Sequence, residues 1–170
     1  MNQLYDVFKP HTFQPGETHV DLYHVYDNLS QTPYAPGIGI ECGDPDNYMT
    51  NACHVITPST MSRHLKWKNR HPTQFVSLYA DQTAAQTEAE RRMGHVWTPS
   101  GRRDPNSVRI AHIRLPRGTN VWFFSRAKML DMMATFGPGA QQAMFATSHP
   151  SEWFIWGGVP ATDVLNQAQL

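Results

Sequence analysis

TQFVSLYADQTAAQTEAERRM, residues 73–93, is the stretch on which the reading of this chain turns. Residues 73–80 are rich in Phe, Val, Leu and Tyr and read as a strand. Residues 81–93 read as a helix. Asp81 stands at the N-cap, where a side-chain oxygen can accept from an unpaired backbone N–H. Ala85 and Ala89 offer small apolar positions one turn apart, and Arg91 and Arg92 suit the carbonyl end of the last turn. Gly94 stops the helix. A strand passing into a helix through a single capping residue therefore lies near the middle of the chain.

The flanks extend this pattern without repeating it. VDLYHVYD (20–27) and SVRIAHIRL (107–115) alternate as strands do, the second through Val108, Ile110, Ile113 and Leu115. NVWFF (120–124) and EWFIWG (152–157) are further strands. TPSTMSRHLKW (57–67) reads as a short helix capped by Thr57 with Pro58 at its first position, turning Met61, Leu65 and Trp67 inward. SRAKMLDMMATFG (125–137) reads as a helix between Ser125 and Gly137, with Met129, Leu130, Met132 and Met133 available for burial. GAQQAMFA (139–146) is a second short helical segment, and VPATDVL (159–165) is a turn leading into a last element. Residues 1–19 form an extended lead-in and residues 94–107 a polar loop. Residues 28–56, with Pro33, Pro36, Gly37, Gly39, Gly43 and Pro45, read as a long loop, and a loop of that length in a compact domain is usually functional. Strands and helices mix without a βαβ rhythm, so the fold class is α+β, in one domain over residues 1–170.

Composition bounds the function. With 40% hydrophobic and 16% charged residues, the 170-residue chain is globular. Net charge is zero, yet it is unevenly placed. Residues 1–62 hold Asp6, Glu17, Asp21, Asp27, Glu41, Asp44 and Asp46 against Lys9 alone. Residues 63–128 hold thirteen bases against four acids, which fits either a solvated face or a phosphorylated ligand or partner. Cys42 and Cys53 are too few for a disulfide scaffold and have no metal-ligand spacing, although they could form one disulfide. MNQLYDVFKPHTF lacks a basic start followed by an apolar run, so no cleaved signal is expected, and no run is long enough to span a bilayer. No phosphate loop, dinucleotide glycine fingerprint, nucleophile elbow or zinc helix motif occurs.

Three polar residues stand inside strands: His24 in LYHVYD, Ser77 in FVSLYAD and Glu152 at the head of EWFIWG. Singly, each has a plain structural reading as a bonded core histidine, a small tolerated serine and a strand-end acid. In order, LYHVYD, FVSLYADQTAAQTEAERR and EWFIWGGVPATDV resemble the three sequence blocks of the ADP-ribosyltransferase superfamily, in its toxin-like branch and in a fungal-type group of domains. SVRIAHIRLPRGTNVWFFS resembles the section between the second and third blocks, and the resemblance spans about residues 20–166.

The resemblance implies two packed mixed or antiparallel sheets forming an NAD cleft, flanked by short helices. It implies NAD as the substrate, with cleavage of the nicotinamide–ribose bond. Glu152 would stabilise the cationic ribose, Ser77 would hold Glu152 or the ribose, and His24 would bond the dinucleotide. Val25, Tyr26 and Tyr79 join the cofactor-binding set, the tyrosines as stacking faces, and no metal is required. Arg63, Lys66, Lys68 and Arg70, or Arg91 and Arg92, are candidates to face the diphosphate or a target. The acceptor is a macromolecule, a protein ahead of a nucleic acid, or water in an NAD glycohydrolase. Arginine-modifying members carry Glu or Gln where Pro150 stands, which leaves the acceptor open. The alternative is an inactive binding module on the same fold, since His24 occupies a position where toxin-like members most often hold Arg. The expected setting is the cytoplasm, or that of a toxin or effector exported without a classical signal.

Overall fold

The computed structural model describes residues 10–45, 61, 64–65, 72–135, 137 and 148–169. Among the described residues, eleven strands and two longer helices follow in chain order: β1 (His19–Tyr26), β2 (Tyr34–Ala35), β3 (Gly39–Glu41), β4 (Phe75–Tyr79), α1 (Gln82–Gly94), β5 (Trp97–Thr98), β6 (Gly101–Arg102), β7 (Arg109–Pro116), β8 (Trp122–Ser125), α2 (Arg126–Ala134), β9 (Glu152–Trp156), β10 (Gly158–Pro160) and β11 (Val164–Ala168). Six strands make one antiparallel sheet in the order β11-β7-β1-β4-β9-β8. β10, β3 and β2 make a second antiparallel sheet, and β5 and β6 a small hairpin. The α+β class stands.

Side chains alternate across the large sheet and bury both of its faces. One face carries Leu22, Val76, Leu78, Ala111, Ile113, Leu115, Phe123 and Ile155, and packs against Ile40 and Val159 of the second sheet. On the other face, Phe75, Phe124, Phe154 and Trp156 pack with Met129, Leu130, Met132 and Met133 of α2 and with Met61 and Leu65. Val25, Tyr79, Val108 and Ile110 pack with Ala85 and Ala89 of α1. The small alanines let α1 lie close to the strands, while the long methionines of α2 fill irregular space among aromatic rings. Asp81 accepts from Thr83 N–H and Ser125 from Lys128 N–H, so both helices begin at the caps expected from sequence.

Three segments differ from the sequence expectation. The 28–56 segment is not all loop: Tyr34–Ala35 and Gly39–Glu41 are strands of the second sheet. Their brevity and their Pro and Gly neighbours hid the pattern, because a strand this short shows little alternation. The 94–107 segment contains the β5–β6 hairpin and a 3₁₀ turn at Pro105–Ser107. Finally, Gly-Gly-Val-Pro does more than end β9. Gly157 takes φ of 84°, and the chain passes straight into β10, so it crosses from one sheet to the other there. Gly158 permits that crossing, since a Cβ on it would sit 2.5 Å from the Ile40 carbonyl oxygen. The 139–146 helix, Trp67 and Cys53 fall outside the described residues, while Cys42 is buried.

Candidate functional site

β1 and β4 are neighbours in the large sheet, yet they pair at one position, Tyr23 with Tyr79. Beyond it the strands part, and the gap is closed by a side chain. His24 Nδ1 lies 2.9 Å from the Ser77 carbonyl oxygen, and Nε2 lies 2.8 Å from the Thr32 carbonyl oxygen. A cavity of about 410 Å³ opens at this split, between α1, the β5–β6 hairpin and the segment carrying His64 and Thr73. His24, Ser77 and Glu152 all line it, with Val25 and Tyr79. The three strand residues singled out in the sequence thus meet at one cleft, but the second sheet does not line it: Ser77 and Glu152 stand on the face of the large sheet that meets the helices.

Register explains the meeting. β4 and β9 pair from Phe75 with Trp156 through Ser77 with Phe154 to Tyr79 with Glu152. Residues two apart share a face, so Glu152 is the diagonal neighbour of Ser77 on the helix side of the sheet. The Ser77 hydroxyl is placed beside the Glu152 carboxyl by this register. The backbone N–H of His149 donates to Glu152 Oε2 at 3.1 Å. Glu152 is 3% exposed. Burial holds its carboxyl above the usual carboxylate range and nearby Glu88 pushes the same way, while Ser77, the His149 N–H and Arg126 oppose this.

His24 reaches the cleft from the opposite face. Its cross-strand partner is Ala111, on the side that meets the second sheet, and its ring enters through the β1–β4 gap. Burial lowers its pKa, so the neutral ring is favoured, although the two carbonyls pull the other way. A neutral ring has one N–H, and the Thr32 hydroxyl, 3.3 Å from Nε2, can supply the proton for the nitrogen that lacks one. Tyr26 stacks on His24 at 5.9 Å but is not among the residues lining the cleft; its hydroxyl donates to Gln167 Oε1. Tyr79 is buried, and burial raises its pKa.

Two groups at the cleft carried no signal in the sequence. His64, helical in conformation, lies with Nε2 2.7 Å from Ser77 Oγ and Nδ1 2.6 Å from Thr73 Oγ1. Burial depresses its pKa to about 4, which leaves a neutral ring. At the rim, Asp27 receives Arg92 at 3.1 Å and Arg103 at 3.0 Å, while Arg91 and Arg92 both bond Glu88. Arg91 and Arg92 thus meet acids of the protein itself, and Arg114 likewise meets Asp21. Part of the basic middle third is consequently matched internally by the acidic first third. Arg63, Lys66, Lys68 and Arg70 fall outside the described residues. Spacing along the chain could not have flagged His64 or Asp27, because the partners of His64 lie 9 and 13 residues away and the arginines that meet Asp27 lie 65 and 76 away.

Chemically, the cleft offers one buried carboxylate held by a backbone N–H with a serine hydroxyl beside it, two neutral imidazoles and a phenol. Such a set can stabilise a positive charge and orient hydroxyl groups. Among the described residues no cluster of His, Cys, Asp and Glu is grouped as metal ligands would be, and no helix is long and apolar enough to cross a membrane. A family model described as "Domain of unknown function (DUF7587)" matches residues 18–170, and the chain belongs to that family. Neither a curated protein nor a solved structure matches it.

Proposed function

We propose that this member of the DUF7587 family is an NAD-dependent mono-ADP-ribosyltransferase with an ADP-ribosyltransferase-like fold. It cleaves the nicotinamide–ribose bond and passes ADP-ribose to a macromolecule, or to water. The observation that carries the reading is the presence of His24, Ser77 and Glu152 in one cleft at a split in the large sheet. Loss of nicotinamide leaves positive charge on the ribose. A carboxylate beside that sugar stabilises the charge more in the transition state than in the ground state, which is the condition for raising the rate. Glu152 takes that role, Ser77 steadies it, and Tyr79 offers a flat face beside them. The acceptor is a protein ahead of a nucleic acid.

The test is release of free nicotinamide from NAD, alone and with cell extract as acceptor source, for the wild type and Glu152→Gln. Release by the wild type that is lost in the variant supports the reading. No release under any supplementation, or full release by the variant, overturns it.

A second reading draws on the His24 ring, whose two nitrogens already face the Ser77 and Thr32 carbonyls. A histidine so engaged braces the split without reaching a ribose hydroxyl, which fits a module that binds without turnover. Calorimetric NAD binding with no nicotinamide release distinguishes it.

A further inference from the structure

Ser77 and His64 stand in a relation that cleavage of NAD does not use. Ser77 Oγ lies 2.7 Å from His64 Nε2, and His64 Nδ1 lies 2.6 Å from Thr73 Oγ1. A hydroxyl in reach of an imidazole, with the far ring nitrogen anchored by a third group, is the arrangement that activates a serine as a nucleophile. The tautomer that serves it carries the proton on Nδ1, which donates to Thr73 Oγ1, and leaves Nε2 to accept from the Ser77 hydroxyl. Each partner is held in place. His24 Nδ1 lies 2.9 Å from the Ser77 carbonyl oxygen and ties down the backbone of that residue. Phe75 and Phe154 pack about the His64 imidazole with centroids 5.4 and 5.9 Å away. Both Ser77 and His64 are half-buried and line the cavity of about 410 Å³, so a small molecule that enters it meets the hydroxyl. That volume falls within the range of small-molecule sites, about 300–1,000 Å³.

We propose that Ser77 is a nucleophile with His64 as its general base, acting on a small uncharged carboxylic ester. The charges of the cavity select that class. Phosphoryl transfer needs cations on the transferred group, but Arg91, Arg92 and Arg103 of this cavity meet Glu88 and Asp27. An uncharged ester needs no such cation to bind. Ser77 Oγ attacks the carbonyl carbon as its proton passes to His64 Nε2, and the carbonyl π pair moves to oxygen. When that pair returns, the bond to the leaving alkoxide breaks and the alkoxide takes the proton from Nε2. An acyl-Ser77 and a neutral ring remain. Water repeats the two steps, frees the carboxylic acid and restores the Ser77 proton. Burial pushes the His64 ring down to about 4, so it is neutral and able to accept, but it is a weak base and the reaction is expected to be slow.

An uncharged fluorophosphonate, which phosphonylates activated serines with loss of fluoride, tests the pair on the whole chain. Peptide mapping by mass spectrometry is expected to find an adduct on Ser77 in the native protein and none there after unfolding in urea. His64→Gln keeps a hydrogen-bonding group beside Ser77 but is no base, and its Ser77 should be labelled about 100-fold more slowly. No adduct on Ser77, an equal rate in the unfolded chain or an equal rate in His64→Gln overturns the proposal. Should the variant fail to fold, the comparison of native with unfolded wild type still decides. p-Nitrophenyl acetate is expected to slow the labelling by competing for the same hydroxyl, and labelling unchanged by it overturns the ester as substrate class. NAD enters neither assay, so absence of nicotinamide release would overturn the function proposed above and leave this proposal standing.

Discussion

β4 and β9 run side by side through two environments on one face. At one end Phe75, Phe154 and Trp156 sit in a buried aromatic cluster, with Phe75 and Trp156 edge-to-face at 5.0 Å. Two residues along, the same strands present Ser77, Tyr79 and Glu152 to the cleft. Both halves are largely buried, but one is stabilised by removing apolar surface from water and the other keeps a carboxyl where burial disfavours its charge. Removing a side chain from the aromatic half should cost stability, whereas neutralising Glu152 should cost activity and return stability.

The largest effect expected is in the aromatic half. Phe154→Ala should lower unfolding stability by about 3–5 kcal/mol, read by denaturant titration, because Phe154 is fully buried and its truncation leaves a cavity in the core. If the loss were below about 1 kcal/mol, this end of the strands would not be core. Next is Glu152→Gln, which should lower nicotinamide release by about 100-fold while leaving the circular dichroism spectrum unchanged. Equal loss of fold and activity would erase the contrast between the halves.

A subtler effect follows from the raised carboxyl. Below its ordinary value of 4.5, Glu152 is neutral in both folded and unfolded chains and leaves stability unaffected. As pH rises, the unfolded chain gives up its proton first, and stability falls until the folded group has ionised too. Wild type and Glu152→Gln should therefore match in acid, and the variant should melt higher near neutral pH. A wild type that gained on the variant with rising pH would reverse the sign. The smallest effect belongs to neither half. Asp81→Ala removes the α1 cap and should cost about 1 kcal/mol with nicotinamide release per folded molecule unchanged.

Local chemistry made much of this legible. Asp81 and Ser125 marked their helices because a cap is read within three residues, and the alternation of β7 survives over eight residues. His24, Ser77 and Glu152 could be picked out because each is a polar residue in an apolar strand. Their grouping came from the resemblance of the surrounding blocks, and the structure places them at one cleft. His64 was invisible because its role depends on contacts with Thr73 and Ser77 that no local pattern encodes. The gap between β1 and β4 was equally hidden, for pairing is a property of two strands and each looks regular by itself. Tyr26 looked equivalent to Tyr79 in the sequence, but its hydroxyl is committed to Gln167 near the far end of the chain.

The crossing at Gly157 has a consequence for how the molecule comes into being. The residues around it carry both the carboxyl of the cleft and the β10 strand that completes the second sheet. In order of synthesis, His24 comes first, Ser77 near the middle and Glu152 late. A nascent chain that stops short of β9 leaves β4 with β1 alone and β3 with β2 alone. Glu152 belongs to that late segment, so the cleft lacks its buried carboxyl until the final strands have been made.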